Sequence, residues 1–167
     1  MVSRIRRSRQ LLVVQLIVAI LIISVVWLTW HNVKNLLPAG DDEHALAAVK
    51  LFYAYEQAGD YGSSWELFHS DMQKRFSKAD YIQKRAQVML KDFGVSVFDV
   101  EVGRPTEVSN WRMSSDSEPI GEVYEVVVKQ MFQSEYGNFE LVQPCYMVND
   151  AGEWKLLWSF QKTNELE

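Results

Sequence analysis

Residues 77–102 read SKADYIQKRAQVMLKDFGVSVFDVEV, and the hydrophobic period changes inside this stretch. Ser77-Lys78-Ala79-Asp80 has the form of a capping box with Asp in its last place. Tyr81, Ile82, Arg85, Val88, Met89 and Leu90 follow at helical spacing as far as about Phe93, and Gly94 is a natural C-cap. Beyond Gly94 the period falls to two: Val95, Val97 and Asp99 alternate with Phe98, Val100 and Val102. Helices before this point and strands after it make an α+β domain.

Upstream, Leu46, Val49, Phe52 and Tyr53 give one buried face to a helix expected from about Glu43 to Ala58. Asp41 and Asp42 are placed to cap it, and Gly59-Asp60 stops it. A second helix follows Ser63 or Ser64 through Trp65, Leu67, Phe68 and Met72. Downstream, Val108 and Trp111 mark a short strand after Pro105, and Arg112 to Pro119 is a polar, serine-rich loop. Gly121 to Gln133 is a long strand with Tyr124, Val126, Val128 and Phe132 on one face. Phe139, Leu141, Cys145 and Met147 share a face of the next strand, where Pro144 implies an edge or a bulge. Asn149-Asp150-Ala151-Gly152 is a hairpin turn. The last strand puts Trp154, Leu156, Trp158 and Phe160 on one face, Lys155 and Ser159 on the other. The expectation is three helices on one face of a curved antiparallel sheet of four to five strands.

The twenty residues Leu11 to Trp30 carry no charge. At helical rise they span about 30 Å, the thickness of the bilayer hydrocarbon. Arg4, Arg6, Arg7 and Arg9 precede them, and the first acid is Asp41. Such arginines stay on the cytoplasmic side, so the domain beyond is expected outside the cell membrane, with Trp27 and Trp30 at the outer headgroups. The run is too long for a signal h-region and ends in Trp-Leu-Thr-Trp rather than a small-x-small cleavage site, which favours an uncleaved single-pass anchor. The expected organisation is a cytoplasmic basic tail at 1–10, a transmembrane helix at 11–30, a juxtamembrane linker at 31–42, the domain at 43–161 and a tail at 162–167.

After the span lie all 22 acidic residues and 13 of the 17 basic ones, a balance of −9 against +4 on the cytoplasmic tail. An acidic outer domain argues against a nucleic-acid partner. The single cysteine, Cys145, sits in an apolar strand pattern and reads as a small buried hydrophobe. No spacing suggests a metal set, no glycine-rich phosphate loop occurs, and no cofactor is implied.

Two stretches carry a family likeness. One is Phe52-Tyr53-x-Tyr55-Glu56-x-x-Gly59-Asp60-Tyr61, with Trp65-x-Leu67 and Phe76-Ser77-x-x-Asp80-Tyr81 after it. The other is Gly152-Glu153-Trp154-Lys155-Leu156-Leu157-Trp158. Together they resemble the nuclear-transport-factor-two-like superfamily, and within it the non-catalytic N-terminal domain of penicillin-binding transpeptidases. The resemblance covers about Glu43 to Phe160 and implies a cone-shaped domain in a bacterial envelope. Penicillin-binding activity is not implied. Lys162-Thr163-Asn164 is not the Lys-Thr-Gly of that chemistry, and no transpeptidase domain is present before Glu167.

The resemblance implies a pocket at the mouth of the cone, and Tyr53, Tyr124, Phe132, Trp154 and Trp158 are the residues expected to line it. Asp80 or Asp99 beside a tyrosine would be the acid of an isomerase- or dehydratase-like site. Trp111 and Arg112 ahead of the serine loop, and Lys84 with Arg85 on the third helix, are the candidate partner surface. Lys74, Arg75 and Lys78 extend the basic group, and His69 with Asp71 reads as a solvated pair. The function expected is a non-catalytic interaction or scaffolding module of envelope or cell-wall machinery, with an envelope protein or a second copy as partner. The alternatives are an assembly factor of a secretion or conjugation apparatus and a binder of a small apolar ligand in the cone.

Overall fold

In the computed structural model the chain divides after Ala39 into two units. The structure describes residue 24 of the first, and residues 40–92, 94, 98–134 and 137–161 of the second. Ser24 is helical; the rest of the expected span and the basic tail lie outside the described residues. Among the described residues no helix is long and apolar enough to cross a membrane.

Helix α1 (Asp41–Gln57) starts two residues before the expected position, with Gly40 as N-cap. Asp41 and Asp42 therefore act from inside the first turn, where the helix dipole favours negative charge, rather than as caps. Its buried face is Ala45, Val49, Phe52, Tyr53 and Glu56, an apolar stripe that ends on a carboxylate. Gly59, at φ +72°, ends the helix in a conformation that costs other residues strain. Asp60 then caps α2 (Tyr61–Glu66) by accepting from Ser63 N at 3.1 Å.

The expected second helix is two helices, α2 and α3 (Ser70–Arg75), broken at Leu67–His69. Phe68 forms a parallel bridge with Leu156 of the last strand: Leu156 N donates to Leu67 O at 2.8 Å and His69 N to Leu156 O at 3.0 Å. Pairing with a sheet edge and continuing a helix are incompatible demands on the same backbone groups, and the edge wins. His69 restarts the helix, its Nδ1 accepting from Asp71 N at 3.3 Å. It caps the helix and also makes the expected pair, its Nδ1 lying 3.5 Å from Asp71 Oδ2, with His69 the more buried of the two.

Helix α4 (Lys78–Ala86) carries the expected box: Asp80 N donates to Ser77 Oγ at 3.2 Å, and that hydroxyl donates to Asp80 Oδ2 at 2.7 Å. The helix was expected to run to Phe93, but Gln87–Asp92 is a turn of π-helix.

Five antiparallel strands follow: β1 (Phe98–Val102), β2 (Thr106–Trp111), β3 (Ile120–Ser134), β4 (Gly137–Asp150) and β5 (Glu153–Trp158). The order is β1-β3-β4-β5, with β2 also on β3. Strands β1 and β2 are two halves of one edge strand. Val102 faces Val128 and Thr106 faces Glu125, so four steps on one side oppose three on the other, which is a bulge. Gly103 sits at the bulge, its N donating to Val127 O at 2.8 Å; a Cβ there would stand 2.9 Å from the same oxygen.

Pro144 is tolerated for a related reason. It faces Val127, whose carbonyl bonds Gly103 on the opposite side. The missing proline N–H therefore points to the β5 side, where the pairing has already ended at Cys145–Trp158.

Phe52, Phe68, Tyr81 and Trp158 fill the space between helices and sheet, with neighbouring ring centroids 5.0–6.4 Å apart. Val126, Val128, Phe132, Cys145, Met147 and Leu156 form the floor. Leu157 and Tyr146 are buried on the other face, and Trp111 stacks on Tyr146 at 4.3 Å. The loop after β2 is tied to the chain after β5 by Phe160 N donating to Met113 O at 2.7 Å. Phe139 and Leu141 share a strand face with Cys145 and Met147, as expected, but are 37% and 41% exposed where the other two are buried.

Candidate functional site

The polar centre of the domain is Glu56, whose side chain is wholly buried in the last turn of α1. Three groups converge on it. Ser64 Oγ donates to Oε1 at 2.5 Å, Tyr81 OH donates to the same oxygen at 2.8 Å, and Arg85 Nε donates to Oε2 at 2.5 Å. Arg85 also reaches Gln130 on β3, Nη2 to Oε1 at 3.4 Å. Helical spacing explains the convergence: Tyr81 and Arg85 lie one turn apart on α4, and Glu56 lies one turn beyond Phe52 on α1.

Burial costs a lone charge several kcal/mol, so these groups hold one another or nothing. Burial pulls the Arg85 guanidinium down, but the Glu56 carboxylate outweighs it and the group is held above its ordinary range. Burial, and then the Glu56 charge, pushes the Tyr81 hydroxyl far up. Tyr53 is raised well above its ordinary range by burial and by Cys145, whose Sγ lies 3.3 Å from its hydroxyl. Burial raises the Cys145 thiol to about 11.

A cleft of about 150 Å³ opens beside this cluster, lined by Phe76, Tyr81, Lys84, Arg85, Val88 and Trp158. Two buried donors near it lack a nitrogen or oxygen acceptor: Trp158 Nε1, and Gln130 Nε2 behind Arg85. Cys145 Sγ, across the strand pair from Trp158, offers the indole at most a weak sulfur contact. A second, larger hollow of about 390 Å³ lies at the hairpin end of the sheet between Asp99, Met131, Phe132, Gln133, Asn138, Phe139 and Glu140.

The chain matches no protein-family model and no curated protein.

The expected pocket residues do not meet in one cavity. Trp158 lines the small cleft and Phe132 the larger hollow, while Tyr53 is buried against Cys145. Tyr124 packs edge-on against Trp154, centroids 5.6 Å apart, and neither lines either space. The reason is length: a strand of fifteen residues spreads one face from one end of the sheet to the other.

The expected partner surface also separates. Trp111 is 7% exposed and is spent on Tyr146, so it is not a surface aromatic. Arg112 is exposed, with Nη1 donating to Ser117 O at 2.5 Å within its own loop. Lys84 is exposed as expected, but Arg85 turns inward to Glu56. The other basic residues have local partners: Lys74 pairs with Asp71, Lys78 with Glu66, and Arg75 lies 3.8 Å above the Phe160 ring.

Of the two acids considered for chemistry, Asp80 is exposed in the capping box and Asp99 is exposed on β1 at the larger hollow. The buried acid is Glu56, and sequence reasoning missed it. The signal was present, since Glu56 continues the 49–52–53 stripe at helical spacing, an acid where an apolar residue belongs. Against the expectation that no Ser-x-x-Lys occurs, that spacing, a mark of penicillin-binding nucleophiles, is present at Ser159-Phe160-Gln161-Lys162. Ser159 follows β5 in non-helical chain, its Oγ accepting from Gln161 N at 3.3 Å, and Lys162 lies outside the described residues. Among the described residues no three His, Cys, Asp or Glu side chains gather as a metal set would require.

Proposed function

We propose that this chain is a membrane-anchored, extracytoplasmic interaction module of bacterial envelope machinery, built on a cone-shaped domain of the nuclear-transport-factor-two-like kind. The observation that carries this reading is the outer half of the β3–β4 hairpin. Val127, Phe139, Leu141 and Val142 are 37–53% exposed there, on both faces of the hairpin. Contiguous exposed apolar patches mark docking surfaces, and the hairpin carries two small ones, Phe139 with Leu141 on one face and Val127 and Val142 on the other. The state of Glu56 supports the non-catalytic part. A general base needs a free lone pair facing a substrate, and this carboxylate is committed to Arg85, Tyr81 and Ser64. The uncharged run at 11–30 behind four arginines supports the anchor and its orientation. The envelope assignment rests on the family resemblance.

The test is co-purification of the full-length chain from its own membranes, with and without Leu141→Asp and Val142→Asp. Both positions are at the surface, so the fold should tolerate them within about 0.5 kcal/mol. The partner recovered with the parent protein should be lost. If that partner is a second copy of the chain, the module acts by self-association, as an assembly factor would. Equal recovery with the double variant would reject the hairpin as the docking surface.

A further inference from the structure

We propose that the cleft between α4 and β5 is a binding site for a small carboxylate that carries an apolar flank. The inference goes beyond the docking role and does not depend on who the docking partner is.

Four observations lead there. The first is charge. Lys84 stands at the cleft with no ion pair among the described residues, and Arg85 has N–H groups beyond the Nε held by Glu56 and the Nη2 contact with Gln130. The acid facing this cluster, Glu56, is already matched by Arg85, so the cleft keeps a net positive charge in a domain that is otherwise acidic.

The second is the unmet donors. Gln130 Nε2, behind Arg85, is buried without an acceptor, and Trp158 Nε1 has only the weak contact with Cys145 Sγ. Buried polar groups are almost always paired, and one left alone costs about 1–3 kcal/mol. The charged side chains that line the cleft, Lys84 and Arg85, are donors only, so the species that fits is an acceptor.

The third is the lining. Phe76, Val88 and the Trp158 ring supply an apolar wall opposite the charges. The fourth is the helix itself. Val88 belongs to the π-helical turn Gln87–Asp92, and α4 gives way to that turn one residue after contributing Lys84 and Arg85 to the cleft and completing its course at Ala86. Single π-turns are rare and recur at functional sites.

Size limits the ligand. A volume of 150 Å³ corresponds to about five waters of liquid. That admits a carboxylate with a short acyl chain or one ring, and nothing as large as a nucleotide or a sterol.

The test is calorimetric titration of the full-length chain in lipid nanodiscs with 3-phenylpropionate, empty nanodiscs as blank and 3-phenylpropanol as the neutral isostere. The acid should bind, and the alcohol should bind at least about tenfold more weakly, the worth of 1.4 kcal/mol. Lys84→Glu should weaken the acid by about the same factor, and Val88→Trp, which fills the cleft, should abolish binding. Neither variant touches the Glu56–Arg85 pair, and circular dichroism should show both folded. No heat with the acid would overturn the proposal. So would equal affinity for acid and alcohol, or binding that ignores both substitutions.

Discussion

Arg85 shows how little a residue's type says about its placement. Beside Lys84 it reads as half of a basic surface pair, but one step of 100° around α4 separates a solvated ammonium from a guanidinium buried on Glu56. Arg85→Ala should therefore cost about 3–5 kcal/mol, because it strands a buried carboxylate. Lys84→Ala should change stability by no more than about 0.5 kcal/mol. Urea unfolding of the two variants checks this, and similar midpoints would contradict it. Cys145 was legible as a buried small hydrophobe, but its contact with Tyr53 was not, since the two are 92 residues apart in sequence. That contact has a pH consequence. Both the thiol, pushed up to about 11, and the Tyr53 hydroxyl are held protonated in the folded state. Groups whose folded pKa is raised stabilise fully below their unfolded pKa and lose that contribution as pH rises through the folded value. Unfolding free energy should fall between about pH 9 and 11, by about 2–3 kcal/mol from Cys145 alone. In Cys145→Ala the fall between about pH 9 and 10 should be missing from denaturation curves, and only the tyrosine part above pH 10 should remain; an unchanged slope would show the thiol is not its source.

At the scale of elements, the local signals were sufficient wherever an element is decided by its own residues. The Ser77–Asp80 box, the stop at Gly59, the long strand and the closing hairpin all stand where the pattern places them. The exceptions come from distant partners. The break between α2 and α3 is dictated by β5, and the bulge that joins β1 to β2 by the Val127 carbonyl. The candidate cleft was illegible for the same reason: its six residues come from three separate elements, and neither the π-turn nor the acid on the α1 stripe has a periodicity of its own. The β4–β5 turn leaves a correctable cost. Ala151 sits at φ 53° ahead of Gly152 at φ 92°, both positive as a two-residue type I′ turn requires. An alanine in that region is strained by about 1–2 kcal/mol, and asparagine is tolerated there. Ala151→Asn should raise the melting temperature by about 2–5 °C. A lower melting temperature in calorimetry would show that the turn is limited by something other than backbone strain.

On the scale of the whole molecule, the sequence divides its labour sharply. An uncharged run of twenty residues behind four arginines is followed by an acidic α+β domain. Among the described residues the domain keeps its interior for aromatic packing and the Glu56 cluster, and four of its six exposed large apolar residues lie on the hairpin. The most direct measurement places a photo-crosslinking amino acid at Val142, and separately at exposed Glu107 on β2, in the full-length protein in its native membrane. The account expects a discrete protein adduct from position 142 and none from position 107. No adduct from position 142, or the same adducts from both positions, would contradict it.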